Sequence, residues 1–286
     1  MKKKILKDVQ NSPDDRGIPL TKVGVKGLEY PIRVLDKVHK IQYTTGRADL
    51  FADLPRHFRG THMSRFVEIF HRHRDDLSMP RFLNMMEEIA EGLEAESAWG
   101  TVEFPYFLER KAPVSRIPGM MSYRCRYQGR VSRLTTSGQS EGSKSLAARN
   151  WSGTRHFVVS VSVPVATVCP CSKAISDRGA HNQRGVVTVE LELGPFFWIE
   201  DIIDLVEKAA SSPVYSILKR EDEKAITEAA YDNPKFVEDL VRDIYNELKA
   251  LGSFPRFSVE AENFESIHNH SAFARADYDK NLNLQH

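Results

Sequence analysis

Two stretches of alternation constrain this 286-residue chain more than any other feature in it. Phe157, Val159, Val161, Val163 and Val165 alternate with His156, Val158, Ser160 and Ser162, and Val187, Val189, Leu191 and Leu193 alternate with Thr188, Glu190 and Glu192. Side chains along a strand point to opposite faces in turn, so a period of two with one apolar set specifies strands that bury a single face. That face needs a cover, and the next segments supply it. Ile199, Ile202, Ile203, Val206 and Ala210 recur at helical spacing. A further helix is expected from Pro234 to Leu251, with Asn233 as its cap, Pro234 in the first helical position and Gly252 as its stop. Phe257, Val259 and Ala261 then restart a strand pattern, and weaker β character runs from Ala272 to Tyr278.

The first half repeats this order. Short β-rich pieces occupy Tyr30 to Phe58, and helical spacing follows in Ser64 to Arg74 and Pro80 to Leu93, the second with Ser78 available as a cap. Val102, Phe104, Tyr106 and Leu108 alternate, as do Met121, Tyr123, Cys125 and Tyr127 against Ser122, Arg124, Arg126 and Gln128. Each half therefore reads strand, strand, helix, helix, strand, strand. The expected fold is α+β, with a loosely ordered arm over 1–30, one module over 31–140 and a second over 150–286, joined through the Ser/Gly-rich stretch Leu134 to Ala148. No residue-level repeat is visible, so the duplication rests on element order alone.

Composition narrows the partners. Forty basic against thirty-nine acidic residues leave a net charge of +1, which gives no global field for a polyanion; nucleic acid is not an expected partner, and any phosphate must be held by local cations. No run of about 18 apolar residues occurs, and the start Met1-Lys-Lys-Lys passes into polar residues, so neither a membrane span nor a secretory signal is expected. Three cysteines, an odd and sparse number, point to reduced thiols in a cytoplasm. Cys125 falls on the apolar side of its strand and is expected to be an inert buried thiol.

The remaining cysteines lie in C169-P-C-S-K-A-I-S-D-R-G-A-H181-N-Q-R184, which is long for a hairpin connection and rich in reactive residues. If this stretch stays extended, Cys169 and Cys171 leave one face of the chain, with Pro170 stiffening their spacing. His181 lies just before the returning strand, so hairpin geometry can bring it opposite Cys169. A catalytic metal site usually takes three protein ligands and an open position. Further donors exist in the charged run K219-R-E-D-E-K, which includes Glu221, Asp222 and Glu223, and in N263-F-E265-S-I-H268-N-H270. Solvated charges and loop histidines are the plainer readings of these two. Glu238 lies roughly 120° from the centre of its helix's apolar stripe and is free to face solvent or ligand. R59-G60-T-H62-M-S-R65 precedes a helix and offers an anion-binding corner, with capping by Thr61 or Ser64 as the plainer reading.

C-P-C-S-K with G-A-H-N-Q-R, Y231-D-N-P-K-F-V-E-D, G-T-H-M-S-R-F and E265-S-I-H-N-H occur together here. From Pro31 to Tyr278 the chain resembles the GTP cyclohydrolase I family of type IB, the prokaryotic form. The resemblance implies a tunnelling fold of two tandem ββααββ modules, a homotetramer with active sites at subunit interfaces, and conversion of GTP to 7,8-dihydroneopterin triphosphate and formate, a first step toward folate and queuosine-type bases. It implies one divalent metal per site, zinc or manganese with iron possible, held by Cys169, His181 and Glu223. Cys171 becomes an essential thiol facing the substrate. Glu238 would grip the guanine edge, and Glu265, His268 and His270 would complete the site, the division of proton transfer among them and His181 being open. Lys173, Arg184, His62 and Arg65 are the candidates for the triphosphate. The chemistry suits this inventory: water must add at C8 of the purine, which a divalent ion assists by acidifying water, and a positioned acid must protonate the departing ring nitrogen. Two competing readings are a tunnelling-fold nitrile reductase with a cysteine nucleophile and NADPH, and a non-catalytic metal-stabilised binding protein.

Overall fold

A computed structural model describes residues 10, 12–133, 153–192 and 194–282. The Ser/Gly-rich stretch expected as a linker, and Leu193, lie outside the described residues. The chain forms β1 (Leu20–Asp36), β2 (Lys40–Leu54), α1 (Met63–His73), α2 (Met79–Gly92), β3 (Ser97–Lys111) and β4 (Pro118–Arg133). After these come β5 (Gly153–Val168), α3 (Pro170–Ile175), β6 (Asn182–Glu192), α4 (Ile199–Ala209) and β7 (Ser212–Pro213). The last elements are α5 (Arg220–Asp232), α6 (Val237–Leu251), β8 (Arg256–Asn263) and β9 (Ala272–Asp279). No helix among the described residues is long and apolar enough to cross a membrane.

Two compact units divide the chain, and each is built from discontinuous segments. One comprises residues 1–103 and 127–157, the other 104–126 and 158–286. The reason is strand length: β3, β4 and β5 have 15 or 16 residues each, and one end of each belongs to either unit.

In the first unit β1, β2 and β3 pair antiparallel, and α1 and α2 bury Phe66, Ile69, Phe70, Phe82, Met85, Met86 and Ile89. Gly100 makes room for this layer, since a Cβ there would lie 2.7 Å from the Met86 sulfur. The arm expected over 1–30 is β-strand from Leu20 onward. Register shifts between Leu20 and Val23 and between Val25 and Leu28, with Gly27 at φ +66, break the period-two pattern that would have revealed it.

In the second unit β5, β6, β8 and β9 pair antiparallel in that order, with β7 added to β5. Val161, Val163, Val165, Val187, Val189, Leu191, Val259 and Ala261 are buried, as are Ile202, Ile203 and Val206 of α4 and Leu240, Val241, Ile244 and Leu248 of α6. At about 1.5–3 kcal/mol for each large aliphatic side chain removed from water, this layer supplies the unit's main stabilisation. Cys125 is fully buried, and desolvation pushes its thiol far above its ordinary pKa, as expected of an inert core cysteine. Polar groups fix how α4 lies on the β3–β4 hairpin. Tyr106 Oη donates to Glu200 Oε1 at 2.6 Å, and Tyr123 Oη to Glu207 Oε1 at 2.6 Å. Arg110 bridges Asp204 at 2.6 Å and Glu207 at 3.0 Å. Burial outweighs these partners at Glu207 and raises its pKa.

The charged run Lys219-Arg-Glu-Asp-Glu-Lys is not simply a solvated face. It opens α5, and Asp222 is fully buried. Its carboxylate accepts from Val114 N at 2.9 Å, Ser115 N at 2.8 Å, Ser115 Oγ at 2.6 Å and Lys219 N at 2.9 Å. Desolvation works to raise this carboxyl, but the Ser115 hydroxyl and the three amides prevail and hold it far below the ordinary carboxylate range. A depressed folded-state pKa contributes stability above the unfolded value near pH 4, and that contribution is lost as pH falls toward the folded value. Thermal melts of wild type and Asp222→Asn should therefore differ most at neutral pH and converge progressively below about pH 4. A difference independent of pH would show that the ionised carboxylate is not what the site selects.

Candidate active site

The β5–β6 ladder pairs Thr167 with Gln183 and Val168 with Asn182. It continues one step further, because the Cys169 amide donates to the His181 carbonyl at 3.1 Å. Cys169 and His181 are thus cross-strand neighbours at the mouth of the hairpin, as its geometry predicts. Alternation puts Thr167 and Cys169 on one side of β5 and His181 and Gln183 on the same side of β6.

The chain does not stay extended beyond Cys169. Pro170 suits the first position of a helix, and α3 starts there with Cys169 as its N-cap. The expectation that both sulfurs leave one face is therefore corrected: the Cys169 sulfur is half-buried and accepts from Ser172 N at 3.4 Å, while Cys171 is exposed on the first turn. Ser172 braces the corner. Its hydroxyl donates to the Cys169 carbonyl at 3.1 Å and accepts from the His181 amide at 3.2 Å.

His181 is held from behind. Its Nδ1 lies 3.0 Å from Gln183 Oε1, and Gln183 Nε2 donates to Thr167 Oγ1 at 2.9 Å, with Gln183 and Thr167 both buried. Glu265 arrives from β8, where the β6–β8 ladder pairs Gly185 with Asn263 and the Phe264 amide then donates to the Arg184 carbonyl at 2.9 Å. Gly185 lets the two strands approach closely at this crossing, since a Cβ there would stand 2.3 Å from Asn263 Oδ1 and 3.1 Å from the Glu262 carbonyl oxygen. The result sets Glu265 Oε2 3.8 Å from His181 Nδ1, with each side chain 15% exposed. That is ion-pair range but too long for a hydrogen bond.

His268 and His270 are exposed and stack with ring centroids 5.1 Å apart. Glu223 is exposed on α5, next to the buried Asp222. Glu238 is exposed in the first turn of α6. That helix starts at Val237 and not at Pro234 as the sequence suggests, because Asp239 accepts from the Phe236 amide at 3.1 Å and caps it. Asn233 instead ends α5 and donates to the Ala210 carbonyl at 2.9 Å. Between the two helices the Lys235 amide donates to the Val168 carbonyl at 3.0 Å, which anchors the start of α6 beside the end of β5. Lys173 lies with its Nζ 4.2 Å from the Tyr231 ring centroid and donates to the Tyr231 carbonyl, so this cation already has protein partners. Arg184 is exposed. His62 and Arg65 belong to the first unit, where His62 is the N-cap residue of α1 and Arg65 Nη1 donates to the Gly92 carbonyl at 2.5 Å.

Among the described residues, no three His, Cys, Asp or Glu side chains converge on a common point suited to a metal ion. Two donors nevertheless have the right chemistry. A thiol at the strand end and an imidazole whose Nδ1 is engaged by an acceptor, with Nε2 left open, are donor types suited to a borderline divalent ion. Ser172, Gln183 and Thr167 bear no residue type that marks a catalytic role in the sequence. Gln183 and Thr167 carried a usable signal, since both sit two residues from a candidate ligand on an alternating strand.

The sequence profile described as type I GTP cyclohydrolase folE2 matches residues 6–274. A protein named GTP cyclohydrolase FolE2 from Geotalea uraniireducens is 48% identical over 275 residues, covering 96% of this chain and 94% of the relative. Another so named, from Geobacter sulfurreducens, is 47% identical over 273 residues, covering 96% and 98%. Among solved structures, a uricase from Bacillus fastidious superposes with a TM-score of 0.56 at 7% identity, covering 93% of this chain and 95% of that one. At that identity the likeness speaks to architecture alone, an antiparallel α+β arrangement of the tunnelling type.

Proposed function

The chain belongs to the type I GTP cyclohydrolase folE2 family and is a GTP cyclohydrolase, and from that premise we propose that the Cys169–His181 corner is where the purine ring is opened. The single observation that carries the reading is the cross-strand placement of Cys169 opposite His181, with Glu265 Oε2 3.8 Å from the imidazole. Cys169, His181 and Glu223 would hold one divalent metal. Mixed sulfur, nitrogen and oxygen ligation accommodates zinc or manganese, with iron as a further option. When bound, such an ion supplies the Lewis acidity that makes water a competent nucleophile near neutral pH. Glu223 sits on α5, and completion of the set by an assembled homotetramer, with tandem ββααββ modules and sites at subunit interfaces, belongs to the same proposal.

Each of the chain's own groups then has a task. Glu238, exposed at the anchored start of α6, accepts from guanine N1–H and the exocyclic amine together, a pairing adenine does not offer. Glu265, with His268 and His270, handles the proton that must reach the ring nitrogen leaving C8 and those moved in the later rearrangement and closure. The exposed thiol of Cys171 faces the substrate. Lys173, Arg184, His62 and Arg65 provide the cations for the triphosphate, Lys173 after release from Tyr231. The product, 7,8-dihydroneopterin triphosphate, feeds folate biosynthesis and, in this proposal, queuosine-type bases as well.

Incubation with GTP, ATP and GDP, before and after chelation, tests metal use and base choice together. Formate and a pterin that fluoresces after oxidation are expected from GTP and not from ATP, with loss on chelation and recovery on adding zinc or manganese. Full turnover by protein shown to be metal-free would overturn the metal reading.

A further inference from the structure

Gln183 is almost wholly buried at 7% exposure, carries no charge, and spends both ends of its amide on named partners: the His181 ring and the Thr167 hydroxyl. Thr167 and Gln183 are direct cross-strand partners, one pair deeper in the ladder than Val168 and Asn182 and two deeper than Cys169 and His181. A buried amide opposite a buried hydroxyl on a sheet otherwise lined by valines is costly unless each polar atom is satisfied. Its orientation also has a chemical consequence. An amide oxygen accepts only, so with Oε1 3.0 Å from Nδ1 the neutral His181 ring must carry its proton on Nδ1.

From this we propose that Gln183 is a positioning residue. Braced by Thr167, it locks His181 in the Nδ1–H tautomer and aims Nε2 toward the Cys169 side of the hairpin mouth. Glu265 Oε2, at 3.8 Å from the same nitrogen, stands too far to set the tautomer itself. This rests on the reading of His181 as a metal ligand, and it assigns the supporting shell of that ligand to two residues of the β5–β6 ladder.

The test uses the full-length protein labelled with 15N-histidine, stripped of metal and held at a pH where the ring is neutral. Magic-angle-spinning NMR reads the tautomer, and the His181 signals are assigned by their loss in His181→Gln. In the wild type His181 should be protonated at Nδ1. Gln183→Leu, which removes the acceptor, should move the ring toward the Nε2–H form and weaken zinc binding, measured by competition with a chromophoric chelator, about 10- to 100-fold. Gln183→Glu keeps an acceptor and should retain both the tautomer and affinity within a few-fold of wild type. Thr167→Val should lie between the two. If Gln183→Leu fails to fold by circular dichroism, the Gln183→Glu and Thr167→Val pair still decides the matter. A wild-type His181 protonated on Nε2, or wild-type tautomer and affinity in Gln183→Leu, would overturn the proposal. Unchanged zinc affinity in His181→Gln would instead remove the ligand reading while leaving the tautomer result to stand separately.

Discussion

Replacing Cys169 by alanine is expected to cut GTP turnover by more than about a thousandfold while shifting the melting temperature by only a few degrees. The sulfur is half-buried and accepts one long hydrogen bond from Ser172 N, so its removal leaves neither a large cavity nor an unpaired buried charge. The corner itself is held by main-chain and hydroxyl contacts that alanine preserves: Cys169 N to the His181 carbonyl, and Ser172 Oγ to both residues. What is lost is the thiol of the residue that pairs with His181 across the ladder. Steady-state assay of formate release with a parallel thermal melt separates the two effects. Equal and large losses in both would mean that Cys169 is structural.

Glu238→Gln is expected to act on a different quantity. The substitution keeps size and helix position, and Glu238 is exposed, so stability should change by less than about 0.5 kcal/mol. At the substrate, however, a charged double acceptor becomes an amide with one acceptor and a donor facing the donors of guanine. Hydrogen bonds to a charged partner contribute roughly 1.5–3 kcal/mol each, so kcat/KM for GTP should fall by about two to three orders of magnitude. Competition assays should also show that guanine nucleotides lose their advantage over inosine nucleotides, which lack the exocyclic amine. A variant with unaltered kcat/KM and base preference would place guanine recognition elsewhere.

How much of this was legible in the sequence depended on whether one residue's neighbours could be read from periodicity. Strands β5 and β6 announced themselves by alternation, and the hairpin they form placed Cys169 opposite His181 correctly. The Gly252 stop of α6 was equally readable and takes the left-handed conformation at φ 65. Helix α5 gives no periodic signal, because burial on it is confined to Asp222 and Ala230 and leaves no apolar stripe. Asp222 itself looked like one acid among several, since nothing local reveals that the turn over Val114 and Ser115, more than a hundred residues away in sequence, donates to it. The same limit applies at α3: the stretch after Cys169 reads as extended until the proline is recognised as a first helical residue. At the site, Gln183 offers the sequence only its spacing from His181. Its importance comes from the cross-strand hydroxyl of Thr167 and from His181 two residues away, a pattern of partners and not of residue type.

In the proposed site a sulfur and an imidazole at the mouth of one hairpin share an ion. X-ray absorption at the zinc edge of metal-reconstituted protein measures this directly. One sulfur scatterer at about 2.3 Å together with imidazole nitrogen near 2.0–2.1 Å is the predicted shell, with the sulfur absent in Cys169→Ala. A shell of oxygen and nitrogen alone in the wild type, or a sulfur contribution that survives in Cys169→Ala, would show that Cys169 is not a ligand of the ion.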